Sequence, residues 1–198
     1  MRSIFLLPAS GIITLYHGTT LFFADVLRGN GVWLSIQRRS TDFGQGFYLT
    51  QDYSQAGKWA CFRIAYGIPA PHPSFLSKLE ITWERYRRDK RTIQPVIMQY
   101  TLNVVELRST AFGVEFPLPK ETNWNERQME ARALIHKCRR QNSHTYDYVY
   151  GPVADGNAYG MPEEIQFHRT FDQLSLNTEQ VLDRLSKPIR VVRVKCPI

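Results

Sequence analysis

An α+β fold follows from three features of this sequence. Short runs rich in β-branched and aromatic residues occur from end to end, amphipathic helical patterns lie between them, and the two do not alternate in the βαβ rhythm of a parallel sheet. Ile12 to His17 reads as a short strand, followed by the turn formers Gly18-Thr19-Thr20. Leu21 to Arg28 suits a short helix stopped by Gly29-Asn30-Gly31. Asp42 to Thr50 is punctuated by glycines and ends in the strand-like Phe47-Tyr48-Leu49. Asp52 is placed to cap the next helix, with Gln55 three residues on, and Gln55 to Tyr66 sets Ala56, Trp59, Ala60 and Arg63 on one face. The proline-rich Ile68 to Pro73 is a connector, and Ser74 to Arg91 is helical in part. Val96 to Leu102 reads as a strand by its side chains.

Asn125 to Arg140 is the clearest helical pattern, with Met129, Ala133 and Ile135-His136 expected inward. Tyr146 to Val153 and Gln173 to Leu176 are further strands, and Thr178 is expected to cap a short helix from Glu179 to Leu185. Arg190 to Lys195 alternates basic residues with valine, the pattern of a half-buried last strand. No repeat or low-complexity stretch divides the chain, and its 198 residues suit one domain spanning 1–198.

Composition narrows the class. With 43% apolar and 13% aromatic residues the chain has a core to bury, which excludes a disordered chain. No run approaches the length of a membrane span. The first eight residues imitate a signal peptide, but the apolar stretch before Pro8 is too short for one. Cys61, Cys138 and Cys196 are odd in number and far apart, which fits a reducing, cytoplasmic setting and argues against a disulfide framework or a structural metal. The formal charge of +7 is unevenly spread. Arg85, Arg87, Arg88, Lys90 and Arg91 fall close together, Lys137, Arg139 and Arg140 close a helix, and Arg190, Arg193 and Lys195 mark the tail. Such clusters either attract a polyanion or form a solvated face.

Two segments carry chemical interest. Leu15-Tyr16-His17-Gly18-Thr19 sets a histidine at a strand end beside a glycine whose backbone a ligand can approach. Asp42-Phe43-Gly44-Gln45-Gly46-Phe47-Tyr48 brings two glycines against an aromatic pair, but before a strand, so it is not a dinucleotide fingerprint. Each alone reads as readily as a structural histidine and a tight turn.

Together and in this order they resemble the ADP-ribosyltransferases, in particular the diphtheria-toxin/PARP-like branch with its His-Tyr-Glu triad. The aromatic eleven residues after Tyr48 is Trp59, as that pattern asks, and Asp147 to Gly156 and Gln173 to Thr178 look like bacterial transferase domains encoded beside antitoxins. The resemblance is specific over residues 15–60 and 147–178. It implies a split, mixed β-sandwich with flanking helices and NAD as co-substrate in the cleft between the sheets. His17, Gly18, Thr19, Gly44, Gly46, Phe47, Tyr48 and Trp59 would bind NAD, with Tyr48 and Trp59 stacking on the nicotinamide and Arg39, or Arg38, meeting the pyrophosphate. The family glutamate is matched by Gln173, which keeps a hydrogen bond but brings neither charge nor a base. Acceptor activation would then need another carboxylate. Glu163 and Glu164 come first, with Asp155 and Asp172 behind them.

The implied activity is mono-ADP-ribosyl transfer by a bacterial toxin, of a toxin–antitoxin or phage-defence system, restrained by a cognate antitoxin. The basic excess favours a nucleic acid, RNA above all, as acceptor, with a protein acceptor or an NAD glycohydrolase as alternatives. A non-catalytic NAD- or nucleic-acid-binding module is the reading from a different class.

Overall fold

The computed structural model describes residues 7–9, 11–119, 124–142, 144–155 and 160–197. In chain order its elements are β1 (Ile12–Thr20), α1 (Leu21–Asn30), β2 (Phe47–Leu49), α2 (Tyr53–Ala65), α3 (Pro73–Lys78), α4 (Trp83–Arg88), β3 (Pro95–Asn103), α5 (Val104–Thr110), β4 (Gly113–Glu115), α6 (Trp124–Gln141), β5 (Tyr148–Asp155), β6 (Gln166–Leu176), α7 (Glu179–Leu182) and β7 (Arg190–Arg193). The fold is α+β, as the sequence leads one to expect.

Two sheets carry it. One has the order β1-β3-β7, antiparallel throughout, and the other β2-β6-β5-β4, in which β4 runs parallel to β5. They are joined where Tyr16 and Thr50 exchange both backbone hydrogen bonds, at 2.8 and 2.9 Å. Strand parity sends Leu15, Met98, Tyr100 and Leu102 of the first sheet against Phe47, Leu49, Tyr148, Tyr150, Leu174 and Leu176 of the second, and these form the main core. The far face of the second sheet is covered by α6, through Phe43, Phe116, Ala131, Ile135 and Val149. β5 is therefore buried on both faces, which explains its unbroken apolar run. On the first sheet's outer face Ala56 and Ala60 of α2 settle against β1. A Cβ on Gly18 would lie 1.9 Å from the Ala56 carbonyl oxygen, so only glycine permits this approach.

Local signals and structure part company in four places. Gly18, Thr19 and Thr20, expected to turn, extend β1 because β3 pairs with it as far as Thr20↔Pro95. The inward face of α6 is Ala131, Ile135 and Cys138, at helical spacing, rather than Met129, Ala133 and His136, since that stripe meets the second sheet while Met129 stays exposed. The strand holding Gln173 begins seven residues earlier, at Gln166.

The fourth departure is a disulfide between Cys61 on α2 and Cys196 beyond β7, with Cα atoms 5.5 Å apart. The two cysteines are 135 residues apart in sequence, but β7 pairs with β3 and carries the tail past α2. Sequence distance hid a contact that topology makes. The cysteine argument for a reducing compartment falls with it. What stands is that no helix among the described residues is long and apolar enough to cross a membrane. Cys138 is buried and unpaired, and burial pushes its thiol up to about 12, too high for a nucleophile at neutral pH.

Because the bridge closes most of the chain into a loop, its removal releases much unfolded-state entropy. Cys61→Ser, Cys196→Ser and reduction of the native protein are each expected to lower unfolding free energy by about 2–4 kcal/mol. Urea titration with and without reductant checks this, and the serine variants should be insensitive to reductant.

Candidate active site

Beyond the Tyr16–Thr50 junction β1 and β2 diverge, and a cleft of about 460 Å³ opens between the sheets. Its size is in the range of small-molecule sites. Its walls include His17, Gly18, Gly46, Tyr48, Trp59 and Gln173, so the cleft gathers residues from both ends of the chain.

The β1 wall offers backbone groups. The N–H and C=O of Tyr16 point away from β3 toward Thr50, and a strand repeats that direction every second residue. Gly18 therefore turns its own N–H and C=O to the same edge, where β2 has diverged and does not pair with it. A planar amide can bond to both.

His17 lies between them on the opposite face of β1, its ring 4.6 Å from that of Phe47. Its Nδ1 is 2.7 Å from the Tyr48 carbonyl oxygen. A carbonyl only accepts, so Nδ1 carries the proton and Nε2 keeps a lone pair. Burial first, and the positive charge of Arg63 second, hold the imidazole down to about 4, although the bond to Tyr48 works the other way. His17 is a neutral acceptor at physiological pH.

Tyr48 is more firmly built in than a simple stacking residue. Its hydroxyl donates to Gly44 O at 2.8 Å, accepts from Phe43 N at 2.9 Å, and lies 2.8 Å from Thr41 Oγ1. Burial pushes its phenol well above the usual range, so it remains protonated. The glycines serve the same turn. Gly44 takes the left-handed conformation at φ 72°, and a Cβ on Gly46 would fall 2.3 Å from Ser175 Oγ.

Asp42 is the residue that sequence reasoning missed. Its Oδ1 accepts from Arg139 Nε at 3.0 Å and from a second nitrogen of that guanidinium at 2.7 Å. Its Oδ2 accepts from Ala154 N at 2.9 Å and Gln173 Nε2 at 2.6 Å. The Gln173 amide gives its other hydrogen to Pro152 O at 3.1 Å. Both N–H groups are thus used, the amide cannot flip, and its Oε1, which meets no donor among the described residues, is left as an acceptor. A glutamate here would set one carboxylate against another. The glutamine therefore matches Asp42. The one signal of this in sequence was the position of Asp42 at the head of the glycine motif.

Other expected residues fall elsewhere. Arg39 is exposed and outside the cleft, while Arg38 and Arg63 line it with no ion-pair partner among the described residues. Thr19, Phe47 and Gly44 are buried behind the walls. Glu163 and Glu164 lie on an exposed turn over α6, where Glu164 accepts from Met161 N, and roughly 20 Å of β6 separates that turn from Gln173. Asp155 pairs with His168, also away from the cleft. Of the four carboxylates named as proton acceptors only Asp172 lines it. Asp172 accepts from Thr50 Oγ1 at 2.5 Å, Gln51 N at 3.2 Å and Tyr150 OH at 3.1 Å. The Gln55 side chain clamps its backbone with two bonds. Gly156, the last residue of one family-like segment, lies outside the described residues. Arg139, counted from sequence among the surface cations, is turned inward to Asp42.

Residues 13–70 match a family described as a protein of unknown function, DUF3990. The match takes in His17, Gly18, Tyr48 and Trp59 but covers less than a third of the chain and stops short of Gln173. No curated protein and no solved structure matches the chain.

Two outcomes are expected. Asp42→Asn sets one amide N–H₂ against another and half-empties the Arg139 pair, and Gln173→Glu sets two carboxylates together. Each should cost about 3 kcal/mol, while the double variant moves the carboxylate across the same contact and recovers at least half of the summed loss. Denaturant unfolding of the four proteins closes the cycle, and additive losses would mean that the contact is not the cause.

The second concerns pH. Unfolded His17 takes up a proton as pH falls through about 6.5, and folded His17 only near 4. Its contribution is complete above about 6.5, is lost as pH falls toward 4, and changes no further below. The stability gap between the native protein and His17→Asn should shrink over that window and stay flat above it.

Proposed function

We propose that the chain is a mono-ADP-ribosyltransferase that takes NAD into this cleft. The carrying observation is the convergence on one cavity of three acceptor or amide groups with fixed orientation: His17 Nε2, the open backbone edge of Gly18, and Gln173 Oε1. The ADP-ribosyltransferase resemblance of residues 15–60 and 147–178 leads to the same residues.

NAD supplies a glycosidic bond whose electrons leave with the nicotinamide, so that the ribose carbon can be captured by an acceptor that gives up a proton. The chain's part is to hold and orient. Gly18 N–H and C=O pair with the carboxamide, Tyr48 and Trp59 flank the ring, and His17 Nε2 accepts from a ribose hydroxyl. Gln173 Oε1 accepts from the second ribose, without the charge a glutamate would bring. Arg38 and Arg63 meet the diphosphate, in the role the sequence gave to Arg39 or Arg38. Asp172, on the cleft wall, replaces Glu163 and Glu164 as the group that takes the acceptor's proton.

The acceptor is a nucleic acid, RNA in preference to protein. Arg85, Arg87, Arg88 and Lys90 on and after α4 are exposed, and Tyr86 between them packs on Phe22 and Phe23 of α1, presenting the cations outward. In this reading the chain is the toxin of a bacterial toxin–antitoxin pair. The absence of a base at Gln173 favours hydrolysis of NAD to free ADP-ribose as the second reading.

Labelled NAD and a cell lysate separate these outcomes. Label should enter a nuclease-sensitive, protease-resistant product, and His17→Ala should abolish it. Asp172→Asn should slow transfer by about 10²-fold or more and hydrolysis less, whereas Glu163→Gln and Glu164→Gln should leave both unchanged. Label that resists nuclease and yields to protease would replace the acceptor, and intact NAD throughout would defeat the proposal.

A further inference from the structure

Helix α2 carries an aromatic row that begins at the cleft with Trp59 and runs away from it. Trp59, Phe62 and Tyr66 stand at spacings of three and four residues and are 40%, 55% and 88% exposed. Apolar rings on a surface helix normally turn inward, so a row left in solvent points to a partner. Successive ring centres are 5.8 Å apart in both pairs, at interplanar angles of 88° and 84°. Edge-to-face contacts of this kind leave ring faces open for further stacking.

The charges beside the row identify what would cover it. Trp59 stands on the rim of the cleft with Arg38 and Arg63. Phe62 borders a second groove, about 890 Å³, between α2 and the tail after β7. That groove holds Lys58, Arg193 and Lys195, all exposed, and none of the described residues lining it is Asp or Glu. Lys58 lies over the Phe171 ring, 5.0 Å from its centre, and Arg193 and Lys195 have no ion-pair partner among the described residues. Aromatic rings between rows of cations are what a single strand needs: faces for its bases and charge for its phosphates. The centre of a protein–protein interface is instead depleted of lysine. A duplex buries its base faces and has no use for the rings.

We infer that this face of α2 binds single-stranded nucleic acid. Bases stack on Tyr66 and Phe62, and phosphates meet Lys58, Arg193 and Lys195 beside them. Since Trp59 belongs to both the row and the cleft, the strand is led toward the cleft mouth. The inference rests on the nucleic-acid acceptor proposed above and gives it a seat.

The test is anisotropy titration of a short, unstructured, labelled RNA into the full chain without NAD. Phe62→Ser with Tyr66→Ser should raise Kd at least about tenfold, and Phe62→Leu with Tyr66→Leu should do so too, since leucine keeps the apolar character but not the stacking. Arg193→Gln with Lys195→Gln should lower the slope of log affinity against log salt by about 1.4. The same sequence as a duplex should bind more weakly than the single strand. Unchanged Kd in the serine or leucine variants, or equal binding of the duplex, overturns the inference. A protein that consumes NAD but binds no RNA overturns it and leaves the cleft reading standing. RNA binding through the row in a protein that never binds NAD upholds it and defeats the cleft reading.

Discussion

Four hydrogen bonds to the two oxygens of Asp42 hold the site together. They come from Arg139 on α6, Ala154 on β5 and Gln173 on β6, so a single carboxylate fastens the segment before β2 to three elements. Asp42 and Arg139 are nearly buried, and removing either partner would strand the other's charge in a poorly solvated place. Further clamps hold the following residues. Asn142 Oδ1 accepts from Gln45 N, His144 donates to Phe43 O, and Asn177 donates to both Phe43 O and Gln45 O. The segment is irregular, yet it is held as firmly as a strand.

This fixity sets the chemistry of the cleft. Tyr48 is tied by its hydroxyl to that segment and by its carbonyl to His17, so one residue transmits the position of the turn to the imidazole. Gln173 is held by Asp42 with its oxygen left over. The cleft thus presents two neutral acceptors, His17 Nε2 and Gln173 Oε1, beside the Asp172 carboxylate, and Arg38 and Arg63 bring positive charge to its wall. Such a site favours a ligand with hydroxyls, an amide and an anionic middle. Preorganised groups of this kind act by geometry, since they need no rearrangement when the ligand arrives.

Much of this was legible where the determining contacts are local. The Phe47–Leu49 strand and the Asp52 cap, which accepts from Ser54 N and Gln55 N, depend on neighbours within a few residues. The features that sequence concealed are long-range. Asp42 meets its partners across 97 to 131 residues, and Cys61 meets Cys196 across 135. Arg139 looked like one of three helix-end cations, because nothing in the helix itself shows that the stripe including Cys138 turns inward and carries Arg139 to a carboxylate. Glu163 and Glu164 were expected close to Gln173 because β6 was read as short, and the strand residues from Gln166 to Asp172 remove them. Gln173 itself was found by its place in a pattern, and why it is glutamine only the structure explains.

The state of the His17 imidazole is the most direct measure of the account. Long-range ¹H–¹⁵N spectra of the imidazoles, recorded near neutral pH with and without NAD, report each ring nitrogen separately. His17 should be neutral with its proton on Nδ1, and its Nε2 resonance should move to saturation as NAD is added. An Nε2–H tautomer, or an Nε2 resonance that saturating NAD leaves in place, would contradict it.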